Sequence, residues 1–133
     1  METVSIKSCD DATRLSFRLS GSTSDAIDFV ASVTEAPFVG EVQSSTYLSG
    51  PPSLLFQEMA ESWKGWEGEK VWSALDGELS LSATTTSLGH VTLRIEMVDP
   101  SGNFRLYAIL GLEAGQLEKI FKNVSHVFPL NDR

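Results

Sequence analysis

The stretch GELSLSATTTSLGHVTLRIEMVDPSGNFRLYAILGL, residues 77–112, decides the fold, because apolar and polar residues alternate in it through three successive runs. Alternation with a period of two is typical of a strand with one buried and one solvated face. Short polar segments separate the runs, and DPSGN at 99–103 has the proline and glycine of a tight turn. The stretch therefore predicts successive antiparallel strands joined by short turns.

Two or three further strands are predicted before residue 46. RLSFRLS at 14–20 alternates in the same way, and another alternating run extends from Ile27 to Val33. FVGEVQSS at 38–45 resumes a weaker strand pattern after Pro37, a residue that is tolerated only at the ends and edges of strands. These segments are expected to contribute to the same kind of antiparallel structure.

Two helices are predicted, one in the middle of the chain and one at its end. YLSGPPSLLFQEMAESWKGW at 47–66 has prolines suited to a first helical turn, followed by good helix formers. Gly65 and Gly68 are expected to end this helix. From Glu113 onward, apolar residues recur at helical intervals until Pro129 stops the pattern.

The order of strands, helix, strands and helix predicts an α+β fold. We expect a largely antiparallel sheet, with one helix inserted in the middle of the chain and one C-terminal helix on one face. The length suits a single domain of residues 1–133, and 41% hydrophobic with 21% charged residues is the balance of a chain that folds.

Composition excludes several classes of function. The net charge of −8 argues against general affinity for nucleic acid or for anionic membranes and favours a basic partner. The N-terminal residues lack the features of a signal peptide, and no run approaches the ~18 apolar residues of a membrane span, so we expect a cytoplasmic protein. Cys9 is the only cysteine, so we expect neither an intrachain disulfide nor a cysteine-based metal site.

The acidic residues are unevenly distributed, since no Lys or Arg occurs between Leu19 and Trp63. Two interpretations remain open: a solvated face that aids solubility, or a surface that steers a basic protein partner toward the molecule. The six residues that would form such a partner-binding surface are Asp25, Asp28, Glu35, Glu41, Glu58 and Glu61.

All three tryptophans of the chain fall within ten positions, at 63, 66 and 72. Trp63 and Trp66 are three residues apart and would share one face of the predicted helix, continuing a stripe from Leu55 and Met59. Trp72 follows after a short break. We expect the three indoles to meet and to be buried where the helix joins the sheet, with an exposed aromatic binding patch as the alternative.

The segment around the tryptophans resembles a signature of small bacterial proteins of unknown function, W-x-G-W-x-G-E-x-x-W followed by a strand and a G-H turn. LEAGQLEKIF at 112–121 is similar to the start of that family's last helix. The layout is also similar to that of the WapI-type immunity proteins, which protect bacteria from contact-delivered toxins. Neither resemblance implies catalytic residues. The matching positions are Trp63, Gly65, Trp66, Gly68, Glu69, Trp72, Leu79, Gly89 and His90.

No familiar catalytic or metal-binding pattern is found. His90 and His126 do not have metal-ligand spacing, so no metal site and no cofactor is expected. His90 is predicted to cap its hairpin turn, and His126 to lie near the end of the last helix, where a positive imidazole suits the helix dipole. Glu69 could accept a hydrogen bond from an indole N–H or from a backbone donor, and Glu67 is expected to be solvated.

Gly-x-Ser-x-Gly and phosphate-binding loops are also absent from the sequence. We therefore expect a non-enzymatic protein, and two hypotheses about its function remain. One is an immunity protein that neutralises a toxin through its acidic surface. The alternative is a small-ligand-binding or self-associating module, monomeric or dimeric, with a groove lined by tryptophans.

Overall fold

A computed structural model describes residues 2–130 of the chain. Within this range the chain forms eight strands, two α-helices and a short 3-10 helix at Ala114–Gln116. The helices are α1 (Ser53–Glu61) and α2 (Leu117–Val127). The strands are β1 (Thr3–Lys7), β2 (Arg14–Ser22), β3 (Ile27–Glu35), β4 (Phe38–Ser45), β5 (Lys70–Ser73), β6 (Leu79–Thr85), β7 (His90–Val98) and β8 (Arg105–Glu113).

The strands form two antiparallel sheets of four strands each. One sheet has the order β1-β2-β3-β4 and the other β5-β6-β7-β8, so that each strand pairs only with its neighbours along the chain. The predicted α+β class and antiparallel pairing are confirmed. The sequence pattern predicted one sheet, whereas the strands form two. The division falls between β4 and β5, which α1 separates along the chain.

Both sheets contribute alternate residues to one continuous core, and aromatic side chains lie at its centre. The ring of Phe128, just after α2, meets Phe17 of β2 and Phe29 of β3 edge-on at 5.6 and 5.0 Å between centroids. Trp72 of β5 lies 6.4 Å from Phe29. Such aromatic pairs contribute roughly 0.5–1.5 kcal/mol each beyond the area they bury. Since the rings come from both sheets and from the end of α2, the cluster stabilises the packing of the two sheets against the C-terminal helix.

The helices lie beside one pair of outer strands, β5 and β1. α1 and α2 pack against each other, with α1 also contacting β5 and α2 contacting β1. The hydroxyl of Ser53, which is fully buried at the start of α1, donates a hydrogen bond of 2.7 Å to the carbonyl of Phe128. The remaining outer strands are β4 and β8, and they form the side of the molecule that carries the groove described below.

α1 is shorter than the sequence pattern predicts. It ends at Glu61, with Ser62 as its C-cap, so Trp63 and Trp66 lie beyond the helix. The expected stripe of inward-facing residues therefore stops at Met59, which is fully buried. Among residues 2–130, neither helix has the length and apolar character that crossing a membrane requires.

Candidate functional site

An open groove of about 400 Å³ lies between the end of β3, the start of β4 and strand β8. Its position follows from the topology, because β4 and β8 are outer strands of the two sheets. Most of the groove's surface is apolar. Its lining residues are Thr13, Val33, Glu35, Phe38, Arg105, Leu106, Tyr107, Ala108 and Ile109.

Large apolar side chains around the groove are exposed to solvent. Phe38 is 73% exposed at the start of β4, and Phe104, which precedes β8, is 74% exposed. Tyr107 and Ile109 of β8 are 62% and 49% exposed, since they alternate with the partly buried Leu106 and Ala108. Exposed apolar residues gathered at one place mark interaction surfaces more often than isolated ones do.

Strands β4 and β8 approach each other closely at Gly40 of β4. A Cβ atom at this position would overlap the side chain of Leu106 and lie 3.3 Å from its Cγ. The glycine therefore lets β4 come next to β8. Because β4 is paired only with β3, and β8 only with β7, each keeps one row of backbone groups outside the sheet ladders.

The charged residues of the groove are Glu35 and Arg105. The Arg105 guanidinium is already paired, since its Nη1 lies 2.9 Å from Oε2 of Glu96 on the neighbouring strand. Glu35, at the end of β3, forms no ion pair with Arg105 in this arrangement. Of the six acidic residues predicted to bind a partner, Glu35 is the one that lines the groove.

The other five predicted acidic residues lie in separate places. Asp25 is in the turn before β3, and Asp28 is at the start of that strand, seven residues and thus about 23 Å from Glu35 at its end. Glu41 of β4 lies 3.9 Å from Arg18. The remaining two, Glu58 and Glu61, are exposed on α1. The structure therefore does not gather the six carboxylates into one patch.

The three tryptophans have three different environments, and the expectation that all would meet in the core is wrong. Trp72 is 5% exposed, and its Nε1 donates to the carbonyl of Gly50 at 3.0 Å. Trp66 packs against the core from its edge and donates to the carbonyl of Ala83 at 3.1 Å. Trp63 is 56% exposed, because the chain has already left the helix there.

The other residues of the tryptophan signature have structural surroundings. Gly65 and Gly68 take φ values of +121° and +73° in the turns that lead to β5, and Gly89 takes +86° in the turn before β7. Glycine adopts such values without strain. Glu69 is exposed, and the indoles of Trp66 and Trp72 donate to backbone carbonyls, so the hypothesis that Glu69 accepts an indole hydrogen bond is wrong for these two.

A cluster of polar side chains lies where the β1–β2 loop crosses the start of β7 and the end of β8. It contains a thiol, an imidazole and two carboxylates, from Cys9, His90, Asp10 and Glu113. We call these four residues the donor cluster. His90 does not cap its hairpin turn as predicted: the Thr86 hydroxyl accepts from the backbone N–H of Leu88 and of His90, and the imidazole faces the carboxylates.

The carboxylates change the chemistry of the thiol. Partial removal from water, followed by the hydrogen bonds and negative charges of Asp10 and Glu113, raises the pKa of Cys9 from 9.0 to about 11. The thiol is therefore protonated at neutral pH, which makes Cys9 a poor nucleophile. No spacing in the sequence indicated this cluster, because its members come from three segments that are far apart along the chain.

The chain belongs to a family of unknown function, DUF6228, whose model matches residues 6–131. The match thus extends well beyond the tryptophan segment and includes β2, β3 and β4. Comparison with curated proteins and with solved structures finds no match.

Proposed function

We propose that this member of the DUF6228 family is a non-enzymatic protein that binds a protein partner in the groove between β3, β4 and β8. The exposure of Phe38, Tyr107 and Ile109 around one groove is the observation that carries the proposal. Phe104, next to the lining residue Arg105 along the chain, is exposed as well. Aromatic residues are enriched in the centres of protein interfaces, and the energetically important contacts are usually few and clustered.

The charges favour a partner that is basic as well as apolar. The chain has a net charge of −8, and no Lys or Arg occurs from Leu19 to Trp63, the part that contains β3, β4 and α1. Arg105 is neutralised by Glu96, which leaves Glu35 as the groove carboxylate available to a cation. An acidic surface of this kind accelerates association with a basic protein, most strongly at low salt.

The specific form of this proposal is an immunity protein that neutralises a bacterial toxin in the cytoplasm by covering part of its surface. The similarity of layout to the WapI-type immunity proteins supports it, as does the acidic charge, since toxins that cleave nucleic acid carry basic surfaces. On this proposal the acidic residues outside the groove steer the encounter, and the groove provides the contacts that hold the complex together.

The test is protection on co-expression with the product of the adjacent gene. The toxic neighbour is induced in a bacterial host with and without this chain, and the complex is isolated by size-exclusion chromatography. We expect growth to be restored and a complex of fixed stoichiometry to form. A neighbour that is not toxic, or a toxic one that this chain neither binds nor neutralises, would contradict the immunity function.

A pair of variants tests the groove itself. The double substitution Phe38→Ser and Tyr107→Ser removes two exposed rings without touching the core, so the protein should fold but lose protection. Leu88→Ser is the matched control, because Leu88 is 92% exposed in the turn between β6 and β7, away from the groove. If the double variant protects as well as the Leu88→Ser variant, the partner binds elsewhere.

Charge reversal separates the groove carboxylate from the other acidic residues. Glu35→Lys should slow association severalfold at low ionic strength and also speed dissociation, because Glu35 lies within the contact surface. Glu58→Lys changes the net charge equally from exposed α1 and should affect only the association rate. Equal dissociation rates for the two variants would remove Glu35 from the interface.

The alternative function, ligand binding or self-association through the tryptophans, now depends mainly on one indole. Trp72 is buried and Trp66 is packed against the core, whereas Trp63 is exposed beside Lys64, whose Nζ lies 5.5 Å from the ring centroid. Sedimentation analysis of the wild type and of Trp63→Ala tests it. A concentration-dependent mass that Trp63→Ala abolishes would favour this alternative over the groove.

A further inference from the structure

Three segments of the chain bring together side chains of the kinds that bind a transition metal. The β1–β2 loop provides Cys9 and Asp10, the first residue of β7 is His90, and the last residue of β8 is Glu113. Ligand atoms of Cys9, Asp10 and His90 all lie within 4.8 Å of one another. We propose that these three residues bind a divalent metal ion of zinc's class, with Glu113 orienting His90.

The separations between the ligand atoms suit such an ion. Nε2 of His90 lies 3.3 Å from Oδ2 of Asp10, and Sγ of Cys9 lies 3.5 Å from Oδ1 of the same carboxylate. A tetrahedral zinc ion, with bonds of about 2.0–2.1 Å to nitrogen or oxygen and about 2.3 Å to sulfur, holds its ligand atoms roughly 3.3–3.6 Å apart. Small side-chain rotations would therefore complete the coordination.

Hydrogen bonds hold the loop that provides two of these ligands against β8. The backbone N–H of Cys9 donates to the carbonyl of Gly111 at 2.8 Å, and the N–H of Gly111 donates to the Ser8 hydroxyl at 3.0 Å. The same hydroxyl accepts from the N–H of Asp10 at 3.1 Å. The two ligands are thus positioned by contacts with a sheet and not by the loop alone.

The absence of a side chain at position 111 makes room for the cluster. A Cβ atom on Gly111 would overlap the carboxylate of Asp10 and lie 3.1 Å from Cε1 of His90. Gly111 is buried in a strand and does not have a positive φ value, so its backbone conformation does not require glycine. The space above it is instead occupied by the proposed ligands.

Glu113 is placed to orient the imidazole. Its Oε2 lies 3.6 Å from Nδ1 of His90, on the ring nitrogen opposite to the one that faces Asp10. The Glu113 carboxylate is itself held by a capping box, in which it accepts from the backbone N–H of Gln116 and its own N–H donates to the Gln116 side chain at 2.8 Å. At 3.6 Å this contact is longer than a hydrogen bond, and a small rotation of the imidazole would let the carboxylate accept the Nδ1 proton. Nε2 would then be free to bind a metal, as in many zinc sites.

The kinds of ligand select the class of metal. A thiolate with an imidazole prefers Zn²⁺ and similar ions to Mg²⁺ or Ca²⁺, which take oxygen ligands. Binding replaces the S–H bond of Cys9 with a sulfur–metal bond and releases one proton to solvent. Three ligands from the protein leave a fourth position for water or for a group of another molecule.

Sequence analysis predicted no metal site, because neither histidine has ligand spacing along the chain. The proposed ligands instead come from positions 9, 10 and 90, which are not all close along the chain. The pairing of β7 with β8 and the docking of the β1–β2 loop bring them together. It does not depend on the binding function proposed for the groove.

Metal titration of the full-length chain, after treatment with a chelator, tests the site. Isothermal titration with ZnCl₂ should give one ion per chain, unaffected by a large excess of MgCl₂. Co²⁺ should give the thiolate-to-cobalt charge-transfer band and the visible bands of a tetrahedral ion. A titration with Co²⁺ that yields neither band would overturn the proposal, because the thiolate would not be a ligand.

Two ligand variants, one variant of the orienting residue and one control test where the ion binds. Cys9→Ser and His90→Gln should each weaken Zn²⁺ binding by at least tenfold, and Glu113→Gln by about tenfold through the loss of its orienting role. His126→Gln is the control, because it removes the other histidine, in the last turn of α2, and should change nothing. Zinc binding that is as tight in Cys9→Ser and His90→Gln as in the His126→Gln control would show that the ion binds elsewhere.

Discussion

The tryptophan segment, residues 61–72, and the donor cluster differ in how their residues come together. The three indoles are close along the chain but diverge in space, from a buried Trp72 to a Trp63 that is 56% exposed. The donor cluster is drawn from positions 9, 10, 90 and 113, yet atoms of Cys9, Asp10 and His90 lie within 4.8 Å of one another. Nearness along the sequence therefore did not predict nearness in space, which strand pairing and loop docking determined.

The largest expected effect is that of Trp72→Ala. Trp72 is buried, meets the ring of Phe29 and donates to Gly50, so its removal should lower the free energy of unfolding by about 3–5 kcal/mol. Chemical denaturation monitored by circular dichroism measures the loss. A loss below about 1 kcal/mol would show that this end of the segment is no more important to stability than the exposed end.

Trp66→Ala should have a smaller effect, about 1–3 kcal/mol, because this indole packs against the core from its edge. If the apolar stripe of α1 continued past Met59, the ring of Trp66 would lie inside the core. Its removal would then lower the free energy of unfolding as much as the deletion of a fully buried aromatic does. The same denaturation experiment distinguishes the two, with Trp72→Ala as reference. Equal losses for the two variants would mean that Trp66 is as buried as Trp72.

At the donor cluster, the thiol of Cys9 should react with iodoacetamide about tenfold more slowly at pH 8 than a thiol with a pKa of 9.0. The pKa of about 11 lowers the thiolate fraction about a hundredfold, and the greater intrinsic reactivity of a more basic thiolate recovers part of this loss. The rate is measured by mass spectrometry. Asp10→Asn should restore part of the reactivity, because removal of the thiol from water, the largest cause of the raised pKa, remains. A wild-type rate equal to that of a free thiol would contradict the raised pKa.

The raised pKa of Cys9 also predicts how the stability of the fold changes at alkaline pH. Because the pKa of Cys9 is higher in the folded state than its ordinary value of 9.0, the folded state binds this proton more tightly. The contribution of the thiol to stability is therefore complete below pH 9 and is lost as the pH rises toward 11. Cys9→Ser, which cannot ionise there, should lose less stability over that interval than the wild type does.

The smallest effect should be that of Trp63→Ala. Its indole is 56% exposed and follows the end of α1, so the free energy of unfolding should change by less than about 0.5 kcal/mol. Acrylamide should readily quench the fluorescence of Trp63. The difference between the emission of the wild type and that of Trp63→Ala isolates this signal. A destabilisation as large as that of Trp66→Ala would show that the segment is buried along its whole length.

Regular alternation predicted most strands, since it depends only on neighbouring residues. The run at 38–45 became β4 with the predicted bounds, and the three runs within 77–112 became β6, β7 and β8. β1 and β5 were not predicted because they are short: β1 buries only Val4 and Ile6, and β5 buries only Trp72. Strands of this length owe their existence to the partner strand with which they pair.

The sequence by itself determined the α+β class, the antiparallel hairpins and the acidic charge, because these follow from local periodicity, turn residues and composition. Only the tertiary structure decided that the strands form two sheets, that α1 ends before the first tryptophan and that β4 and β8 border a groove. It also decided the donor cluster, whose members meet because Gly111 leaves space for Asp10 and because β8 brings Glu113 opposite His90. These contacts join residues up to about a hundred positions apart, and no local pattern encodes which distant surfaces will pack together.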